Sequence, residues 1–355
     1  MKKFFKTCFS VTSILLSLLA LSSCEKEEST GSEASSNPRV DVIAPEKGAS
    51  NEVLTITGSG IGGITSVMFE TDSVTASFNP NFNTESALIF RIPVDAVPGE
   101  QDIIFRNSKG IEFKASFNVL GLPTVQTVSN YNYMPGTDIT LTGKNLADVS
   151  KVVFQGQAQE VEVVAKTATS LTLKMPATAL AQTKLDITNE AGTVTTTQEF
   201  VNVENAFLIF NEDYQNGFVN GSWGPAEVSS TVAKSGTKSF KVTYVKGNWS
   251  ANGFANWDPG VAFSPDYKFL SFWVKGGVET QTFYITGDQR AGGYGNSDRT
   301  APIVVPANEW TYFKIKLSDL ELWKKGGAFK QLGFWIPGPD NQDEVLYFDD
   351  VIFIK

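Results

Sequence analysis

Phe269-Leu270-Ser271-Phe272-Trp273-Val274-Lys275 is the stretch on which the reading of this chain turns. Leu270, Phe272 and Val274 alternate with Ser271 and Trp273, the period of a strand with one apolar face. The same alternation recurs at 239–245 (Phe240, Val242, Tyr244), 281–286 (Phe283, Ile285), 310–317 (Phe313, Ile315, Leu317) and 331–336 (Leu332, Phe334, Ile336). Further strands are expected at 206–210 and 345–354. Gly, Asn, Asp and Pro fill the segments between them. Strands at this spacing over residues 204–355 predict a two-sheet jelly roll.

A strand with a core face has an opposite face. That logic leaves Trp273, Tyr284 and Trp335 on the side away from the core, an aromatic stripe on a half-polar sheet. All seven tryptophans of the chain fall between Trp223 and Trp335. An indole offers a large flat apolar face and one N–H, which suits a ligand that is apolar on one face and hydroxylated at its edge, as a sugar is. Two loops add to the stripe. The first, 246–259, carries Trp249 and Trp257 among Gly, Asn and Ser; the second, 287–299, carries Tyr294 between glycines, with Asp288 and Arg290 nearby. The expected glycan site is therefore Trp249, Trp257, Trp273, Tyr284, Tyr294 and Trp335, with Asp288 and Arg290 reaching hydroxyls. Trp310 reads as structural, and Trp323 fits either role.

Outward from this third, the chain of 355 residues is long enough for two to three domains, and its Val, Thr, Phe and Gly content without a helical period makes it all-β. A formal charge of −9 argues against a nucleic-acid partner. The absence of histidine excludes Ser-His-Asp and Cys-His catalysis and any His-ligated zinc. The only cysteines are Cys8 and Cys24, so no disulfide braces the body of the protein.

Residues 1–23 read as a secretory signal, with Lys2, Lys3 and Lys6 before a short apolar run. Leu21-Ser22-Ser23-Cys24 resembles the lipobox of bacterial lipoproteins, which implies a lipidated Cys24 and loss of Cys8 on cleavage. Glu25-Lys26-Glu27-Glu28 resembles a surface-export signal of such lipoproteins; a plain solvated linker is the other reading. Ser29 to Asn37 has no large apolar residue, so residues 24–37 are expected to form a flexible tether.

Residues 38–120 and 121–203 are two repeats with a period of about 84 residues. Thr55-Ile56-Thr57-Gly58 matches Thr140-Leu141-Thr142-Gly143, Val67-Met68-Phe69 matches Val152-Val153-Phe154, and Asn107 and Gly110 match Asn189 and Gly192. Each repeated glycine is expected at a turn or bulge with positive φ. The units resemble immunoglobulin-like IPT/TIG domains, for which a spacer role is implied; a protein-docking surface stays open.

The last third is similar to carbohydrate-binding jelly rolls, in Ser235-Gly236-Thr237-Lys238-Ser239-Phe240-Lys241-Val242, in 270–276, in Trp310-Thr311-Tyr312-Phe313 and in Tyr347-Phe348-Asp349-Asp350-Val351. The whole order resembles the family of surface glycan-binding proteins B of SusC/SusD-like uptake systems. That resemblance implies an outer-membrane, surface-exposed lipoprotein that binds a neutral polysaccharide, a plant β-glucan such as xyloglucan or mixed-linkage glucan, and hands it to a transporter. It implies no catalysis and no cofactor, although related modules hold a structural calcium to which Asp350 can contribute. Gln215 stands after Tyr214 where those modules carry an acid. Two other readings remain open: a glycoside hydrolase using a pair among Asp258, Asp288 and Asp298, and a protein-binding adhesin.

Overall fold

A computed structural model describes residues 32–295, 299 and 302–355; Cys24 and Asp298 lie outside the described residues. The chain forms two compact units, one ending at Gly121 and the other running from Leu122 to Lys355. Both are all-β, and the described helices are single 3-10 turns such as Val203–Asn205 and Leu317–Asp319.

In the first unit, a four-stranded sheet (Arg39–Ala44, Val53–Ser59, Ala87–Arg91, Phe78–Asn83) faces a five-stranded one (Lys47–Ala49, Glu112–Leu120, Gly99–Asn107, Ile64–Phe69, Val74–Ala76). Leu54, Ile56, Val67, Phe69, Phe90, Phe105 and Phe117 fill the space between them. The repeat signals acquire physical reasons here. Gly58 and Gly143 do not take positive φ, contrary to expectation. Each sits where the neighbouring strand slips register, between Val40 and Val42 and between Val125 and Thr127. A Cβ on Gly58 would lie 2.0 Å from the carbonyl oxygen of Arg39, and one on Gly143 would lie 1.7 Å from that of Thr124. Close backbone approach, not a left-handed turn, requires these glycines. Asn107 and Asn189 close their hairpins by accepting backbone N–H groups of residues 109 and 111, and of 191 and 192.

The start of the described chain is not a free tether. Ser32 Oγ donates to the Asn83 carbonyl at 2.9 Å and accepts from Gly63 N, while Asn107 Nδ2 donates to the Ser35 carbonyl. Gly60 and Gly62 leave the room: a Cβ at either would come within 2.8 Å of Ser35 or Ser32. Polar composition made 32–37 look unable to dock, but the docking uses hydrogen bonds between small polar side chains and backbone groups and needs no large apolar side chain.

The second unit has two main cores. One is built from Tyr133, Ile139, Leu141, Val152, Phe154, Leu171, Leu185 and Phe200 among others. The other holds the residues assigned by alternation: Phe240, Val242, Tyr244, Leu270, Phe272, Val274, Phe283, Ile285, Leu332, Phe334 and Ile336. It lies between a seven-stranded sheet centred on Glu344–Ile354 and a five-stranded sheet of order Val219–Asn220, Trp249–Ala255, Gln331–Pro337, Gln281–Gly287, Pro302–Val305. The outer faces of these two sheets are the candidate surfaces.

Candidate functional site

The outer face of the seven-stranded sheet is covered where Trp273 lies. Trp273 Nε1 donates to Asn130 Oδ1 at 2.7 Å, and Tyr131 stacks over both Trp273 and its cross-strand neighbour Tyr312, at 5.8 and 4.6 Å between centroids. Lys234 Nζ sits 4.0 Å from the indole centroid on Trp273. Trp273 is left 5% exposed and does not belong to an open stripe. Alternation placed it correctly away from the core, but it could not see that residues 129–133, distant in sequence, close over that face.

The outer face of the five-stranded sheet carries the aromatic cluster. Register places Ala251, Trp335 and Tyr284 on one rung, and Gly253, Gly333 and Thr286 on the next. Trp335 is 1% exposed. Trp249 stands edge-on to it at 5.8 Å and 88°, and Tyr284 tilts against it at 5.5 Å. Tyr294 lies over Gly333, where a Cβ would be 2.4 Å from its hydroxyl. That hydroxyl donates to the Gly221 carbonyl at 3.1 Å, and burial pushes its pKa well up, so it stays a neutral donor. Trp335 and Tyr294 therefore form a floor and are not themselves open platforms. Both were expected to be exposed; Trp249, expected on a loop, instead opens a strand beside Trp335 and with Tyr284 on the other flanking strand covers it, while Tyr294 settles onto Gly333 with the Trp223 ring against it.

Two indoles stand on this floor. Trp249 is 64% exposed, and Trp223 is 59% exposed with its edge on Tyr294 at 5.5 Å and 75°. Gly295 makes way for the Trp223 ring, since a Cβ there would come within 2.3 Å of it. Trp223 N donates to the Ala251 carbonyl, which ties its loop to the sheet. Between the two rings lies a depression of about 220 Å³, lined by Trp223, Gly224, Pro225, Val245, Asn248, Trp249 and Ser250. Sequence reading missed Trp223. Its setting, Gly221-Ser222-Trp223-Gly224-Pro225, carried the same signal as the Tyr294 loop: a large ring among residues that offer it no local core.

Other expected contacts fall elsewhere. Trp257 is 53% exposed but lies beyond the far end of the Trp249–Ala255 strand, which alone spans about 20 Å, and does not line the depression. Arg290 is buried, and its Nη1 donates to the Ile285 carbonyl at 2.6 Å. Asp288 accepts the backbone N–H groups of Lys330 and Gln331 at 2.8 and 3.0 Å. Both brace the loop under Tyr294 from within and neither points a free group at a ligand. Trp323 Nε1 donates to the Val261 carbonyl, and its ring packs on Phe329 and Phe353.

The calcium that the resemblance implies at Asp350 does not match the groups around it. One carboxylate oxygen accepts Asn211 Nδ2–H at 2.7 Å; the other accepts Ser235 Oγ–H at 2.9 Å and Asn130 Nδ2–H at 3.5 Å. These are donors, whereas calcium needs about six to eight oxygen ligands. Among the described residues no three acidic, thiol or imidazole groups gather to hold a metal. Asp349, next in line, accepts from Lys234 N and Ser235 N. Burial first, then the neighbouring charge, raises the pKa of Asp349; burial raises that of Asp350.

Fold and site define an all-β chain of immunoglobulin-like and jelly-roll sandwiches whose last sandwich bears an aromatic outer face. The chain is similar in structure to surface glycan-binding proteins. One is SGBP-B from a complex xyloglucan utilization locus in Bacteroides uniformis: 21% identity, 90% of this chain, 99% of that chain, TM-score 0.45. A second is SGBP-B from Prevotella bryantii: 17% identity, 91% and 99% coverage, TM-score 0.43. A third is SGBP-B of a Bacteroides ovatus mixed-linkage glucan utilization locus, in complex with a mixed-linkage heptasaccharide: 14% identity, 88% and 74% coverage, TM-score 0.29. No family model and no curated protein sequence matches the chain.

Proposed function

We propose that this protein is a surface lipoprotein that binds a neutral polysaccharide across the outer face of its five-stranded sheet, with Trp223 and Trp249 as the sugar platforms. The observation that carries the reading is the pair of exposed indoles flanking one depression on a pre-packed aromatic floor. Trp335, Tyr294 and Tyr284 hold the rings without themselves needing to move. Such pre-organisation lowers the ordering cost of binding. Asn248 supplies a polar group of the kind that hydroxyls require. No carboxylate lines the depression among the described residues, whereas glycoside hydrolysis ordinarily uses two, which favours binding over cleavage.

Isothermal calorimetry with xyloglucan and mixed-linkage β-glucan tests this. Trp223→Ala and Trp249→Ala each weaken binding by about 1–3 kcal/mol, the range of an aromatic hot spot, and leave the fold intact. Normal binding by both variants, or release of reducing sugar by the wild type, overturns the reading. Lipidation at Cys24, outer-membrane surface display and delivery to a SusC/SusD-like transporter complete the proposal. Cys24→Ala is expected to release the protein from the membrane fraction; retention there refutes the anchor.

A further inference from the structure

We infer that the bound chain does not end at the two indoles but turns at Pro225 onto the edge of the other sheet, where Lys241 and Glu227 hold a further sugar. This rests on the glycan-binding reading of the indole pair. A second depression, of about 330 Å³, is lined by Pro225, Ala226, Glu227, Lys241 and Thr243. It shares Pro225 with the indole depression, so the two adjoin. Gly224 keeps the passage low. Its backbone runs so close to the neighbouring strand that a Cβ would sit 2.8 Å from the Thr243 carbonyl oxygen. Thr243 N donates to the Pro225 carbonyl and fixes the turn. From Gly224 to Glu227 the chain covers roughly 10 Å when extended, so it rounds the edge of the sandwich within that distance, from the indole depression to the second one.

The floor of the second depression is the solvent side of the seven-stranded sheet. Lys241 and Thr243 alternate with the core residues Phe240, Val242 and Tyr244. Glu227 lies opposite Lys241 in register, and Lys241 Nζ donates to Glu227 Oε1 at 2.9 Å. The pair thus offers acceptor oxygens and remaining N–H donors side by side, the complement of a vicinal diol. An exposed ion pair of this kind adds little to stability, so replacing both side chains leaves the fold in place. Its two charges cancel, which suits an uncharged ligand. The combined groove reaches the size of small-molecule sites, about 300–1,000 Å³, which the first depression alone does not.

Calorimetry on the full chain with mixed-linkage β-glucan oligosaccharides of increasing length tests the inference. Wild-type affinity is expected to rise with length beyond what the indole depression holds. Substituting Lys241→Met and Glu227→Gln together should cost about tenfold for a heptasaccharide, the loss of one or two hydrogen bonds to charged groups, and less than about twofold for a trisaccharide. An equal loss at every length, or no loss at any, overturns the inference. Normal binding by Trp223→Ala and Trp249→Ala at every length overturns the parent reading instead, so the two failures are told apart. Circular dichroism of the double variant checks that the edge strand is retained.

Discussion

Trp273→Ala is expected to cost stability and spare the glycan site. The indole is 5% exposed, so nearly all of its surface leaves water on folding. A buried tryptophan removes about 150–250 Å² from solvent, which at about 25 cal/mol per Å² is about 4–6 kcal/mol. Residual burial in the unfolded chain lowers this figure, and large-to-small changes in cores give about 3–5 kcal/mol. The deletion also removes the Nε1–H donor of Asn130 and one ring of the Tyr131 stack. Trp273→Phe keeps a ring for Tyr131 and loses the hydrogen bond, so about 1–2 kcal/mol is expected. Trp249, 64% exposed, is the contrast: its removal should cost about 1–2 kcal/mol or less, scaled by the smaller buried area. Denaturant unfolding of the full chain, followed by tryptophan fluorescence and circular dichroism, measures all three. Trp273→Ala unfolding at the wild-type midpoint, or losing glycan affinity with unchanged stability, would refute the assignment of this residue to packing.

Gly143→Ala should destabilise the second unit by about 2 kcal/mol or more, because the new methyl meets the Thr124 carbonyl oxygen at 1.7 Å and strand register must shift; a neutral result in thermal melts refutes the close-approach argument. Stability should depend on pH through the buried Asp349–Asp350 pair. The raised Asp349 pKa, pushed up to about 7, means that the folded state holds a proton that the unfolded chain, with an ordinary Asp, releases near pH 4. The stabilisation is therefore fully present below the unfolded value and is lost as pH rises through about 7. Without histidine few other groups titrate there. Melting temperature should fall from pH 6 to pH 8, and Asp349→Asn should flatten that slope; a wild-type profile flat over this window counts against the pair. Glycan affinity should change little between 50 and 500 mM salt, since the ligand is uncharged and the Glu227–Lys241 pair is internally neutral. A steep dependence would point to a charged ligand.

Which side of each strand faces the core was legible in local sequence. Leu270, Phe272, Val274, Leu332, Phe334 and Ile336 all lie where a period of two puts them, because a pleated strand leaves a side chain no other choice. The all-β class was legible for the same reason, and Asn107 and Asn189 answer a local hairpin demand, whereas Gly58 and Gly143 answer the approach of a neighbouring strand. What covers the other side of a sheet is not local. Trp273 and Trp335 occupy equivalent places in the alternation, yet one is capped by Asn130 and Tyr131, and the other lies under Trp249 and Tyr284. Trp223 stands on Tyr294, which the missing Cβ of Gly333 lets settle on the sheet, and Gly295 makes room for the Trp223 ring; Trp249 stands on Trp335. Residue type and spacing decided that aromatic rings would leave the core; only long-range packing decided which of them meet water.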